Sequence, residues 1–126
     1  MNLYKEYNFN FDIDLLKKEV LEIISYAGNS IDQWPNSGSI DQWALQYSKI
    51  PGYFNDVDLA YGSGSRLENE VTNWNKELEN SYIKECVYKV HDNPSNTRIN
   101  LLAAEQCLPT HVDGYKSRYH IPVFTI

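Results

Sequence analysis

Positive charge is scarce in this 126-residue chain: 11 Lys and Arg stand against 17 Asp and Glu, a formal charge of −6. Nucleic acid binding draws on a Lys/Arg-rich face that releases counterions from phosphates. The sequence clusters no such residues, which also weighs against adsorption to anionic membranes. Long apolar runs are absent, so no segment reads as spanning a bilayer. The first twelve residues mix Lys, Glu, Asn and aromatics, without the basic start and apolar run of a secretory signal. Cysteine is limited to Cys86 and Cys107, too few for a disulfide framework and not arranged as CxxC. They are expected to be two reduced, partly buried thiols, although a bridge between them stays geometrically open. These absences leave a cytoplasmic globular protein with no membrane or nucleic acid partner as the expectation.

Aromatics are what the chain has in quantity: ten Tyr, four Phe and three Trp. Flat rings suit pleated faces and favour β-structure. The length suits a single domain over residues 1–126. The clearest helix runs from Asp12 to Tyr26. Leu15, Leu16, Val20, Ile23 and Ile24 recur at helical spacing opposite Lys17, Lys18, Glu19 and Glu22. Asp12 or Asp14 can cap its start and Gly28 can end it. Tyr4, Tyr7, Phe9 and Phe11 alternate loosely before it, as in a short strand.

Ser30-Ile31-Asp32-Gln33-Trp34 recurs as Ser39-Ile40-Asp41-Gln42-Trp43. Two copies do not make a solenoid, and chance or a local duplication accounts for them. A strand is expected from Trp43 to Tyr47 and a loop from Pro51 to Asn75. The Gly62-Ser63-Gly64-Ser65 run within that loop lacks the Gly-Lys-Ser/Thr of a phosphate loop. A second helix is expected from Leu78 to Val90, with Ile83, Val87 and Val90 on one face. The residues from Asp92 to Asn96 make a turn. Ile99 to Ala104 reads as a strand buried on much of both faces. Arg118 to Ile126 alternates again, with Tyr119, Ile121 and Val123 on one side and Arg118, His120, Pro122 and Phe124 on the other. The pattern is α+β, helices first and β-structure after.

The chemistry gathers in Leu108-Pro109-Thr110-His111-Val112-Asp113-Gly114. A His and an Asp two apart at a strand end point to one side, so an imidazole nitrogen and a carboxylate oxygen can meet one metal ion. Two His and a carboxylate on one face of iron(II) leave positions for a chelating cosubstrate and oxygen. Taken alone, His-x-Asp fits a surface turn with a solvated Asp better than a metal site. Arg118 alone fits a surface ion pair, and His120 a hydrogen-bonded, half-buried histidine. His91 reads as an ordinary helix-end histidine.

With its context, His111-Val112-Asp113 followed by Arg118-x-His120-Ile121-Pro122 resembles the aspartyl/asparaginyl β-hydroxylase-like dioxygenases, which include hydroxylases of free proline. The likeness is specific from Thr97 to Ile126 and looser from Leu78 to Val90. It implies N-terminal helices followed by a double-stranded β-helix, a cupin-like jelly roll. It implies that His111 and Asp113 hold Fe(II), and that Arg118 and His120 line the 2-oxoglutarate pocket. Asn100 falls where the preceding strand faces that cosubstrate. A guanidinium fork suits a carboxylate, and 2-oxoglutarate carries two.

The family also uses a second ligand histidine downstream, with a further Arg for the distal carboxylate. Neither follows His120 within the 126 residues. The chain is therefore expected to be the N-terminal part of a dioxygenase acting on an amino acid or peptidyl side chain, with the β-helix incomplete and activity weak or absent. The alternative is a non-catalytic, truncated β-fold that oligomerises or binds a small molecule. An incomplete β-helix carries open strand edges, so a homo-oligomer built on the C-terminal strands is expected, burying Tyr119, Ile121, Val123 or Phe124.

Overall fold

The computed structural model describes residues 8–28, 41–55, 70–101 and 119–123. In chain order they form helix α1 (Ile13–Ala27), strands β1 (Asp41–Ala44), β2 (Gln46–Tyr47) and β3 (Asn73–Trp74), helix α2 (Tyr82–Val90) and strand β4 (Arg98–Leu101). A single 3-10 turn (Lys76–Leu78) precedes α2. β1 pairs antiparallel with β4, and β2 with β3. Helices and small antiparallel sheets share one core, an α+β arrangement.

α1 forms where local chemistry places it. The Asp12 carboxylate accepts the Leu15 N–H at 3.1 Å, occupying a donor that the first helical turn leaves unpaired. At the other end Gly28 takes φ 80° and its N–H returns to the Ile24 carbonyl at 3.0 Å. A side chain rarely adopts that φ, which is why glycine stands there. Leu16, Val20 and Ile23 form its buried stripe.

α2 begins four residues later than the hydrophobic pattern suggests. Leu78 lies in the 3-10 turn, and Ser81 is the cap: its Oγ accepts the Lys84 N–H at 3.1 Å and donates to the Leu78 carbonyl at 2.9 Å. Ile83 and Cys86 face the core, with Val87 and Val90 half-buried beside them. The two helices are latched by one carboxylate. Glu19 on α1 accepts the Tyr82 N–H at 3.0 Å and the Ile83 N–H at 2.9 Å, satisfying the positive end of α2. Tyr82 answers by accepting the Asp12 N–H on its hydroxyl at 2.8 Å.

The main core joins Leu16, Val20, Ile23, Leu45, Phe54, Leu78, Ile83 and Cys86, so it lies between both helices and the β1–β2 corner. Ala44 and Val71 form a smaller cluster behind it. Two buried amides hold the strands to this core. Gln46 Nε2 donates to the carbonyls of Thr72 and Pro94, while its Oε1 accepts the N–H and the hydroxyl of Thr97. Asn75 Nδ2 lies 3.3 Å from the carbonyls of both Ala44 and Leu45, and its Oδ1 accepts the Gly52 N–H. Trp43, also buried, donates from its ring N–H to the Gly28 carbonyl and ties β1 to the end of α1.

Several sequence expectations need correction. Residues 8–11 form no strand; the rings of Phe9 and Phe11 stack at 5.3 Å instead. The strand from Trp43 to Tyr47 is broken at Leu45, whose N–H turns to Thr97 and whose carbonyl turns to the Asn75 N–H. The loop from Pro51 to Asn75 contains β3. β4 starts at Arg98, and its Asn100 is exposed rather than buried. Residues 119–123 are not a strand, and Pro122 has no N–H to give a ladder. Their alternation survives as burial: Ile121 and Val123 pack on the core, while His120 and Pro122 are exposed. Tyr119 does not join them and stays 47% exposed. Of the side chains expected in an oligomer interface, Ile121 and Val123 are therefore partly covered by the chain's own core. Tyr4, Tyr7, Ser30 to Trp34, Gly62 to Ser65, Cys107 and Phe124 lie outside the described residues.

Gln46→Leu keeps volume but strands four polar partners in the interior. It should lower unfolding free energy by roughly 3 kcal/mol. Urea denaturation measures it; a loss below about 1 kcal/mol would show that these bonds do not hold the strands.

Candidate functional site

β4 is the described element that leads toward the His-x-Asp segment, and its register with β1 decides which side chains share a face. Gln42 stands opposite Asn100, and Ala44 opposite Arg98. Directly opposed residues point the same way, and alternate residues along a strand do too. Gln42, Ala44, Arg98 and Asn100 therefore form one face. Asp41, Trp43, Ile99 and Leu101 form the other, where Ile99 packs against the main core.

The first face is polar. Gln42 is 2% exposed, and its Oε1 accepts a hydrogen bond from the half-buried Arg98 guanidinium. That bond ties the Arg98 guanidinium to β1 on the face that also carries the exposed Asn100. Arg98 and Gln42 were not picked out by sequence reasoning. The spacing Arg98-x-Asn100 carried the signal, since period two places both on Asn100's side, but Gln42 needed the β1–β4 register.

Of the five expected site residues, Asn100 and His120 are described, and both are exposed. His111, Asp113 and Arg118 lie outside the described residues. Among the described residues no group of three or more His, Cys, Asp or Glu side chains is close enough to hold a metal ion. Nor does any helix among them have the length and apolarity to cross a membrane.

His91 caps the C-terminal end of α2, as expected of a helix-end histidine. Its Nδ1 accepts the Asn93 N–H at 3.0 Å, and its ring centroid is 5.7 Å from that of Tyr119. Cys86 is free and fully buried, and burial pushes its thiol above the ordinary range, with the Tyr82 hydroxyl opposing in part. A thiol held protonated in an apolar setting is a poor nucleophile. It serves packing.

No family model matches the chain, and no curated protein matches it.

The Cys86 shift sets a sign for pH dependence. The folded state holds its proton more tightly than the unfolded chain does. The stabilisation is present below the unfolded thiol pKa, and it is lost as pH rises through that value toward the raised folded one. In a Cys107→Ser chain, Cys86 should react with a thiol reagent at pH 8 at least about tenfold more slowly than in urea. Equal rates would contradict its burial.

Proposed function

We propose that the chain carries the Fe(II) and 2-oxoglutarate elements of a dioxygenase resembling the aspartyl/asparaginyl β-hydroxylases, one that hydroxylates an amino acid or peptidyl side chain. One observation carries the reading: His111-Val112-Asp113 is followed at close spacing by Arg118-x-His120-Ile121-Pro122, downstream of a strand bearing Asn100. In this reading β1 and β4 belong to a double-stranded β-helix, in keeping with their antiparallel pairing.

The donor set suits the group. An imidazole nitrogen and a carboxylate oxygen are ligands that non-haem iron(II) accepts, and His111 and Asp113 would supply them. When bound, iron(II) would activate O2 as the oxidant, with 2-oxoglutarate supplying two electrons as it is converted to succinate and CO2, for hydroxylation of an unactivated C–H bond. The protein's contribution is positioning. Arg118 would hold a 2-oxoglutarate carboxylate through its fork of donors, with His120 and Asn100 adding hydrogen bonds along the pocket. Arg98, fixed by Gln42 on the face of Asn100, adds a second guanidinium to that surface. The expected homo-oligomer would use Tyr119, which stays exposed, rather than Ile121 and Val123, which the chain's own core partly covers.

Metal and cosubstrate binding test the reading without demanding full activity. Mn(II), a redox-inert stand-in for Fe(II), should bind weakly to the chain and promote 2-oxoglutarate binding. His111→Ala or Asp113→Ala should weaken both by about tenfold or more. Titration calorimetry and Mn(II) paramagnetic resonance read the two events, and succinate formation with Fe(II) reads any turnover. Binding that is absent from the unaltered chain, or unchanged in both variants, would sink the proposal.

A further inference from the structure

His91 closes the C-terminal end of α2 and also meets the described segment that begins at Tyr119. Its Nδ1 is committed to the Asn93 N–H, which fixes the ring's orientation, and the ring then meets Tyr119 at 5.7 Å and an interplanar angle of 49°. A tilted pair at that separation is an attractive aromatic geometry. Tyr119 opens the short described segment 119–123. Further along it, Ile121 and Val123 pack on the core that contains Ile83, Cys86 and the flanking Val87 of α2. The segment is therefore held at two kinds of contact: apolar side chains against the shared core, and a ring pair with His91 at the end of α2. Between them sits His120, exposed.

The geometry points to His91 as a positioning residue that fixes residues 119–123 and thereby sets His120. Ile121 and Val123 seat the segment, since both are half-buried against the core. Neither acts at its N-terminal end, where Tyr119 is 47% exposed and residues 119–123 form no strand. The ring of His91 supplies the second point of attachment, and two points define a direction where one does not. Its relevance to 2-oxoglutarate rests on the dioxygenase reading above, in which His120 and its near neighbour Arg118 line the pocket.

Two variants and two readouts test this in the whole chain. His91→Ala removes the ring; His91→Phe keeps a ring while losing the Nδ1 acceptor. Methyl resonances of Ile121 and Val123 and Tyr119 ring contacts, read by NMR without metal or cosubstrate, report the seating of the segment. They should shift in His91→Ala, return toward the unaltered values in His91→Phe, and leave α1 methyls in place. Methyls that stay put in His91→Ala, or move alike in both variants, would overturn the assignment. With Mn(II) present, 2-oxoglutarate binding should weaken about three- to tenfold in His91→Ala and recover in His91→Phe, while Mn(II) affinity itself holds. A loss of Mn(II) affinity in step would instead mark a general structural effect and count against positioning. Absence of 2-oxoglutarate binding by the unaltered chain would sink the dioxygenase reading, and the methyl shifts would still decide on His91.

Discussion

The side-chain amide of Gln46 is the constraint on which the arrangement of strands depends. It is 1% exposed and has both ends engaged, with two donations from Nε2 and two acceptances at Oε1. Its partners belong to three separate stretches of chain: Thr72 before β3, Pro94 in the turn after α2, and Thr97 at the threshold of β4. A buried amide satisfied this fully gains little in net energy from each bond, but leaving any partner unmade is costly. That asymmetry confers specificity. Only one placement of the 94–97 turn meets all four bonds, and that placement sets where β4 begins and how it registers with β1.

The helices obey a parallel logic at the other side of the core. Glu19 closes the exposed N–H groups at the start of α2, and the Tyr82 hydroxyl closes one at the entrance to α1. Each helix thus completes the other's cap, which fixes their relative height. The far end of α2 follows from this, and with it the position of His91 against Tyr119. The polar face of β1–β4 and the segment carrying His120 are in this way both consequences of contacts made by residues with no chemistry of their own.

What was legible in the sequence was what is local. Asp12, the stripe of Leu16, Val20 and Ile23, and Gly28 lie within one helix, and α1 formed within a residue of where they placed it. The start of α2 was less legible. Leu78 continues the apolar pattern although it belongs to a 3-10 turn, and the cap that decides the matter is Ser81. Strand positions failed where the deciding partner is remote. Leu45 breaks the Trp43–Tyr47 run because Thr97 and Asn75 claim its backbone, and no pattern within five residues reveals them. Residues 120–123 kept the period of two but not the strand, since alternation records burial and Pro122 withholds a ladder donor. For the site, spacing pointed to His111 and Asp113, and the family resemblance, not spacing, brought in Arg118, His120 and Asn100. Gln42 and Arg98 emerged only once β1 and β4 were paired, and His91 gained meaning only once Tyr119 was beside it.

The proposal that the rest turns on is that His111 and Asp113 hold Fe(II). Iron marks its own surroundings when supplied with oxygen and ascorbate, because the oxidants formed there modify the nearest side chains before they diffuse. Peptide mass spectrometry of the whole chain after such treatment reads the modified positions. Oxidation concentrated at His111 and its immediate neighbours, and suppressed by excess Zn(II), is the predicted pattern. Oxidation spread evenly over His91, His120 and the exposed tyrosines, with His111 no more modified than they are, would contradict it.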